Sequence, residues 1–203
     1  MLPERRDVQV RAGSAADLGA LTELYNHYIR ETPLTFDTEP FSCEQRRPWL
    51  ASHPQDGPHR LLVAQEADGK PTGPRPGPQD GDEPGGGCGD GAGGRTGDDS
   101  ALLGYATSSA FRPKAAYATS VEVTVYCAPR AVGRGVGTLL YEALFEALAG
   151  EDVHRAYAGI ALPNESSVRL HARFGFRHIG TYTEVGRKFG RYWDVAWYQK
   201  DLS

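Results

Sequence analysis

The sequence predicts a mixed α/β domain of the α+β class, because strand-like and helix-like patterns alternate along almost the whole chain. Apolar residues make up 39% of its 203 residues, which is enough for one well-buried core, and the length is too short for two comfortable domains. We therefore predict a single domain over residues 1–203, with one tract that cannot contribute to its core.

That tract spans residues 67–101 and holds 12 of the 25 glycines and 5 of the 14 prolines. It contains no aromatic residue and no Val, Ile or Leu. Ordering it would bury too little apolar surface to offset the lost chain entropy. Because "HRLLVAQE" before it and "LLGYATSSAF" after it are typical of strands, we expect a disordered insertion between two neighbouring strands.

Four segments are expected to be helices, the first and third because they repeat apolar residues at helical spacing, and each has a residue suited to a helix end. They are residues 14–29, 44–52, 136–149 and 164–175. The expected end residues are Ser14 (with Asp17 three positions on), Ser42 and Asn164 as N-caps, and Gly150 and Gly175 as C-terminal stops.

Strands are expected between these helices, where β-branched and aromatic residues alternate with polar ones. Their expected bounds are residues 8–11, 60–66, 102–110, 117–127, 153–162, 176–186 and 191–202. The alternation in "TSVEVTVYC" places Val121, Val123 and Val125 on one face of a strand. Glu122 falls on the other face, where partial burial would raise its pKa toward that of a useful base. A surface glutamate on a half-exposed strand is the alternative interpretation.

Composition argues against several classes of protein. The net charge of −4 argues against nucleic-acid binding, and no stretch has the roughly 20 apolar residues of a membrane span. The first ten residues, "MLPERRDVQV", lack the apolar centre of a signal peptide. Cys43, Cys88 and Cys127 form no CxxC pair, so we expect reduced thiols in a cytoplasmic protein. The six histidines have no ligand spacing, so we expect no metal site.

The stretch "CAPRAVGRGVGTLLYEAL" places Gly133, Gly135 and Gly137 directly before a helix pattern. A P-loop would need Gly-Lys-Ser/Thr, and a dinucleotide fingerprint would need Gly-x-Gly-x-x-Gly in an early βαβ unit. Neither is present. Two interpretations remain: a tight strand-to-helix turn, or a loop whose backbone N–H groups hold a pyrophosphate at a helix N-terminus.

Together with "ALPNESSVRLHARFGF", this stretch resembles the acetyl-CoA-binding core of the GNAT N-acetyltransferase superfamily. The segments "ELYNHYIRETPLTFDTEP", "AAYATSVEVTVYCAPR", "LPNESSVRLHARFGF" and "YWDVAWYQKDL" are similar, in order, to the phosphinothricin N-acetyltransferase-like branch. The resemblance covers nearly all of the chain outside the insertion and part of the second helix. It implies a mostly antiparallel, splayed sheet flanked by helices, with acetyl-CoA between the fourth and fifth strands, and a homodimer.

Two positions depart from the pattern of that family. Val132 stands where members carry Gln or Arg, which matters little if backbone N–H groups hold the phosphates. The penultimate segment has Lys188-Phe189-Gly190 where the branch often has Lys-His-Gly. The residues that the resemblance assigns to acetyl-CoA are Val123, Val125, Val132, Gly133, Arg134, Gly135, Val136, Gly137, Thr138, Asn164 and Ser167.

The resemblance also implies catalytic and acceptor-binding residues. It marks Glu122 as the general base, acting directly or through water. It places His171 where a general acid would protonate the leaving thiolate, although a hydrogen bond near the thioester or a purely structural role are alternatives. The expected acceptor-binding residues are Arg112, Lys114 and Tyr117 of "FRPKAAY" and Phe36 of "LTFDTEP". The alternative interpretation is that Arg112 and Lys114 belong to an ordinary solvated turn.

The sequence therefore predicts an acetyl-CoA-dependent N-acetyltransferase that acts on the α-amino group of a small amino acid or analogue, such as phosphinothricin or methionine sulfone. An acyl-CoA-binding module without turnover is one alternative. A transferase acting on another amine, such as an aminoglycoside or a peptide N-terminus, is a second. A third alternative, an enzyme that acts on a nucleotide phosphate, is supported only by the glycines of residues 133–137.

Overall fold

One seven-stranded sheet runs through the part of the chain that the computed structural model describes, residues 7–67 and 102–203. Its strands are β1 (Val8–Ala12), β2 (Leu61–Glu66), β3 (Leu102–Ala110), β4 (Ser120–Cys127), β5 (Arg155–Ala161), β6 (Arg177–Lys188) and β7 (Arg191–Asp201). The helices are α1 (Leu18–Glu31), α2 (Cys43–Ala51), α3 (Val136–Leu148) and α4 (Glu165–Arg173). Apart from Ala67, the tract predicted to be disordered lies outside the described residues.

The strands run in the order β1-β2-β3-β4-β5-β7-β6, and every neighbouring pair is antiparallel except β4 and β5. The predicted α+β class and mostly antiparallel sheet are thus confirmed. Among the described residues, no helix is long and apolar enough to cross a membrane.

The predicted elements are confirmed to within four residues at their ends, and the largest differences are at the starts of α1 and β4. Residues 117–119 were expected in that strand, which begins instead at Ser120. Before it, Ala115–Tyr117 form a single 3-10 turn. The Tyr117 N–H donates to the Lys114 carbonyl at 2.9 Å, and a donor used in a local turn is not available to pair with β3.

The predicted helix ends are also confirmed. The Ser14 N–H donates to the Asp17 carboxylate at 2.7 Å in a short 3-10 turn that leads into α1. At α2 and α4, side-chain oxygens of Ser42 and Asn164 each accept a backbone N–H at 3.2 Å. The glycines expected to stop α3 and α4 follow those helices with positive φ angles.

Helices α1 and α3 lie on opposite faces of the sheet. On the α1 face, the Tyr126 ring of β4 packs against the rings of Tyr25 and Tyr28, with centroids 5.4 and 4.7 Å apart. On the other face, Val125 is a neighbour of Gly137 at the start of α3. The predicted alternation along β4 is thereby confirmed, and Glu122 shares the α1 face with Tyr126.

Helix α3 supplies the centre of the core. Its buried residues at helical spacing are Val136, Leu140, Leu144 and Leu148. Gly104 of β3 allows this close packing, because a Cβ there would lie 3.3 Å from the Leu140 side chain and 2.6 Å from the Tyr126 carbonyl oxygen. The helix and the centre of the sheet therefore hold each other in one position.

Strands β4 and β5 separate soon after they meet. They pair only at Ser120 with Arg155, Val121 with Ala156 and Glu122 with Tyr157. Beyond Glu122, β5 continues along β7, whereas β4 has no strand partner on that side among the described residues. A wedge-shaped opening therefore begins directly after Glu122.

Replacing Leu140 with Ala should lower the free energy of unfolding by about 2–5 kcal/mol, because Leu140 is fully buried and the truncation leaves a cavity beneath the sheet. Urea denaturation followed by circular dichroism measures the change. Glu146→Ala on the exposed side of the same helix is the control and should stay within about 0.5 kcal/mol of the parent chain. Equal losses for both variants would contradict the placement of α3.

Candidate active site

A cleft of about 420 Å³ fills the opening between β4 and β5. Its walls come from β4 and β5, from the loop that leads into α3, and from the start of α4. The predicted residues that line it are Val123, Val125, Val132, Gly133, Gly135, Val136, Gly137, Thr138, Asn164, Ser167 and His171. The structure thus brings into one cleft nearly every residue that the sequence had assigned to acetyl-CoA.

The three glycines of the loop serve two different purposes. Gly133 and Gly135 have φ angles of +81° and +77°, and a Cβ at either would meet nothing within 4 Å. Glycine is favoured there by the backbone conformation, not by lack of space. At Gly137 a Cβ would lie 3.2 Å from the Leu170 side chain, so this glycine lets α3 and α4 pack closely.

The loop presents a group of backbone donors to the cleft. The N–H groups of Gly133, Gly135, Val136 and Gly137 have no hydrogen-bond acceptor among the described residues. They lie at the N-terminus of α3, where the helix dipole adds a partial positive charge. Such an arrangement binds an anion of phosphate type.

Arg134 is the predicted cofactor residue that the structure directs away from the cleft. Its guanidinium makes two hydrogen bonds to the Glu66 carboxylate, at 2.8 and 3.0 Å, on the protein surface. Its backbone N–H donates to the Ala131 carbonyl at 3.2 Å. Neither its side chain nor its N–H is therefore directed at a ligand in this structure.

His171 is buried beside the cleft, with 3% of its surface exposed, and both ring nitrogens are engaged. Nδ1 lies 2.8 Å from the Ser167 carbonyl oxygen, which can only accept, so Nδ1 carries the proton. Nε2 therefore accepts from the Tyr141 hydroxyl at 2.9 Å. Burial lowers the pKa of His171, which favours the neutral ring.

Glu122 lies where β4 and β5 part. It is half-buried, and burial raises the pKa of its carboxyl group. The nearby guanidinium of Arg112, with Nη1 3.7 Å from Glu122 Oε2, acts in the opposite direction and lowers that pKa. Because burial is the larger effect, the pKa of Glu122 lies above its ordinary value, as expected for a base that works near neutral pH.

An aromatic cluster surrounds this pair of charges on the α1 face. The Phe111 ring stacks on Tyr157, with centroids 4.2 Å apart. The Arg112 guanidinium lies 4.2 Å from the Phe111 ring centroid and 5.6 Å from that of Trp197. The Trp197 ring lies over Gly159, where a Cβ would come within 3.2 Å of it. This aromatic cluster (Phe111, Tyr157 and Trp197) forms an apolar wall beside Glu122.

The other residues predicted to bind the acceptor lie outside the cleft. Tyr117 is 43% exposed and touches the edge of Phe111, with ring centroids 6.0 Å apart. Lys114 is exposed nearby. Phe36 lies against Gly186 of β6. The structure thus places Arg112 beside Glu122, whereas Lys114, Tyr117 and Phe36 do not line the cleft.

Sequence reasoning missed several residues of the site. Tyr28 and Leu34 line the cleft, and the Tyr28 hydroxyl donates to the Cys127 carbonyl at 2.7 Å. Tyr157 joins the aromatic cluster because it pairs with Glu122 across parallel strands. The sequence held a signal for Phe111, because this aromatic residue directly precedes Arg112 in "FRPKAAY". It held no signal for Tyr157, because a local pattern does not reveal the strand register that pairs Tyr157 with Glu122.

Comparison with known proteins identifies the class to which this fold and cleft belong. The profile of the acetyltransferase (GNAT) family matches residues 77–176. The phosphinothricin N-acetyltransferase of Streptomyces coelicolor is 60% identical over 201 residues, which are 99% of this chain and 100% of that protein. The chain therefore belongs to the GNAT family of acetyltransferases. It is an N-acetyltransferase whose acetyl donor is acetyl-CoA.

Two more distant relatives extend the comparison. The L-methionine sulfoximine/L-methionine sulfone acetyltransferase of Pseudomonas aeruginosa is 28% identical, over 95% of this chain and 94% of that protein. A phosphinothricin acetyltransferase from Sinorhizobium meliloti, solved in complex with acetyl-CoA, superimposes with a TM-score of 0.74 at 26% identity. That match covers 97% of this chain and 89% of the other.

Proposed function

We propose that this enzyme transfers the acetyl group of acetyl-CoA to the α-amino group of a small amino acid or amino-acid analogue, with Glu122 as the general base. The observation that supports this most is the position of Glu122. A half-buried carboxylate lies at the apex of the β4–β5 opening, beside the cleft that suits the coenzyme. A base at that apex is next to both the acyl donor in the cleft and an amine approaching from the α1 face.

The residues of the cleft fit the coenzyme. We propose that the free N–H groups of residues 133–137 hold its pyrophosphate, and that the unpaired edge of β4 from Val123 to Val125 lies along its pantetheine arm. Asn164 and Ser167 line the opposite wall. Acetyl-CoA supplies the activated acetyl group as a thioester. Within this assignment Arg134 contributes only after its guanidinium leaves Glu66.

The reaction requires the loss of a proton from the acceptor, because an ammonium group has no lone pair with which to attack. We propose that Glu122 takes this proton, directly or through a water molecule. Its raised pKa brings the proton affinity of the carboxylate closer to that of an amine, while the Arg112 charge keeps part of the glutamate ionised. Arg112 therefore acts on the base as well as on any acidic group of the acceptor.

His171 has three candidate roles, and its contacts favour the structural one. A general acid needs a proton directed at the departing thiolate, whereas the Nδ1 proton of His171 is held by the Ser167 carbonyl. Its Nε2 accepts from Tyr141. We propose that His171 joins α4 to α3 through its hydrogen bond with Tyr141, while the bond to the Ser167 carbonyl within α4 fixes the ring, and that it shapes the wall of the cleft. The general-acid role stays a prediction.

We propose that the acceptor carries an acidic group in addition to its amine. Arg112, with Lys114 and Tyr117 close by in sequence, offers cationic and hydroxyl partners for a carboxylate, phosphinate or sulfone oxygen. The aromatic cluster and Phe36 offer apolar surface for a short side chain. The names of the relatives, phosphinothricin and methionine sulfoximine acetyltransferases, agree with an acceptor of this size.

We also propose that residues 1–203 form one domain, that the enzyme works in the cytoplasm and that it is a homodimer. One sheet joins both described parts of the chain. Strand β6 is an edge of that sheet and exposes Ile179, Tyr182 and Val185, which is the kind of apolar surface that a second subunit covers. Sedimentation equilibrium of the full chain would show a dimer, and a monomer at micromolar concentration would contradict it.

Replacing Glu122 with Gln should lower kcat about 10²- to 10⁴-fold, because the substitution keeps the shape of the side chain but removes the base. The measurement is release of the coenzyme A thiol with phosphinothricin, methionine sulfone, methionine sulfoximine, proteinogenic amino acids and polyamines as acceptors. Glu165→Gln is the matched control, because Glu165 is an exposed residue of α4 that pairs with Arg169. Its activity should equal that of the parent enzyme.

The outcomes of this screen separate the alternatives. An unchanged rate for Glu122→Gln at neutral pH would remove Glu122 from the mechanism. Binding of acetyl-CoA without turnover of any amine would indicate a coenzyme-binding module instead of an enzyme. Turnover of polyamines alone would contradict the amino-acid acceptor.

The dependence of kcat on pH gives a second test of the base. Activity should fall as the pH drops through the raised pKa of Glu122, because the protonated glutamate cannot accept the proton. Replacing Arg112 with Met removes the charge that lowers this pKa. The acidic limb of the kcat profile, measured with saturating acceptor, should therefore move to higher pH. A limb that stays in place would show that Arg112 does not influence the titrating group.

A further inference from the structure

Two segments at the edge of the cleft meet beyond the end of β5. The first, residues 32–41, leaves α1 and contributes Leu34 to the lining of the cleft. The second is the tip of the β6–β7 hairpin, residues 183–194. It extends past Ala161, the last residue of β5, which pairs with Val195. Phe36, one of the proposed acceptor-binding residues, lies at this junction.

Lys188 joins the two segments. Its ammonium donates to the Thr35 carbonyl at 2.8 Å, although only 5% of the residue is exposed. Among the described residues it makes no ion pair with a carboxylate. Its other neighbours are the Phe189 ring, 5.2 Å away, and the Asp37 carboxylate, which makes no direct ion pair with it. Burial lowers the pKa of Lys188, and the Asp37 charge only partly offsets this effect. Burying a cation that makes no direct ion pair is costly, so this lysine is a poor choice if stability alone is at stake.

Thr35 is itself held from the α1 side. Its hydroxyl lies 2.8 Å from the Tyr25 hydroxyl, which donates its own proton to the Asp37 carboxylate. Burial, together with the hydrogen bond to Asp37, raises the pKa of Tyr25 to about 12, so its hydroxyl stays a donor at neutral pH. Tyr25 of α1 thus holds residues 32–41 on one side. On the other side, the hydrogen bond from Lys188 holds these residues close to the hairpin tip.

Phe36 shows how tight this junction is. A Cβ at Gly186 would lie 2.3 Å from the Phe36 ring, so the ring lies directly on the backbone of β6. A shift of residues 32–41 by even a fraction of an ångström would change this contact. The junction therefore connects the hairpin tip with the position of Phe36.

We propose that Lys188 is a positioning residue for the amine acceptor: through the Thr35 carbonyl it holds residues 32–41 against the hairpin tip and so sets the place of Phe36. The proposal rests on the function proposed above, because it assumes an acceptor bound on the α1 face beside Phe36. It assigns Lys188 no contact with either substrate and no part in proton transfer.

The test replaces Lys188 with Met, which keeps the length of the side chain but removes its charge and its donor. The KM of the best acceptor should rise about tenfold or more, while the KM of acetyl-CoA stays within about twofold. Amide hydrogen exchange of residues 32–38 should become faster without any ligand present. The melting temperature should change little, because the substitution removes one hydrogen bond but also a costly buried charge. Lys188→Arg should restore part of the acceptor KM.

Lys200→Met is the matched control, because Lys200 is a half-buried lysine of β7 whose ammonium lies near Phe145 on the α3 side of the sheet. It should change neither KM. Unchanged exchange of residues 32–38 in Lys188→Met would overturn the proposal, as would an equal rise in both KM values or a loss of stability without the KM effect. If the parent enzyme turns over no amine, the proposed function fails, while the exchange result still decides whether Lys188 holds the segment.

Discussion

The early separation of β4 from β5 is the constraint on which the rest of this structure depends. Three parallel pairs hold the strands together, and after Glu122 the backbone of β4 faces an open cleft instead of a neighbouring strand. Unpaired strand edges are normally costly when they are buried, so the opening is stable only where water or a ligand with its own hydrogen-bonding groups satisfies them. Helix α3 keeps the sheet from closing, since its buried leucines fix the centre of the sheet while its N-terminal loop borders the cleft.

The two ends of the opening have opposite electrostatic character, and this difference orients the chemistry. Free N–H groups and the helix dipole make the loop end attractive to phosphate. The apex holds a carboxylate whose burial and neighbouring guanidinium act on its pKa in opposite directions. In the function proposed above, a coenzyme bound by its phosphates at the loop end has its reactive end toward Glu122. The proposed acceptor enters from the α1 face, beside the aromatic cluster and residues 32–41.

Much of this arrangement could be predicted from the sequence. The contacts that could not be predicted join residues that are far apart in the chain. Alternation along β4 placed Glu122 on its correct face, and capping residues located the helix ends, because both depend on local geometry. The contact of Arg134 with Glu66 could not be predicted, because the two residues are 68 positions apart in the chain. The same applies to Lys188 and Thr35, which are 153 positions apart. Contacts of this kind depend on the order and register of strands, which no local pattern encodes.

The most direct test of the account is amide hydrogen exchange, resolved by residue, with and without saturating coenzyme A. If the opening between β4 and β5 is the coenzyme site, the amides of residues 133–137 and of the free β4 edge should be strongly protected by the ligand. The amides of β1 and β2 should not change. Protection at another surface, with unchanged exchange in residues 133–137, would contradict the central claim that this cleft holds the acetyl donor.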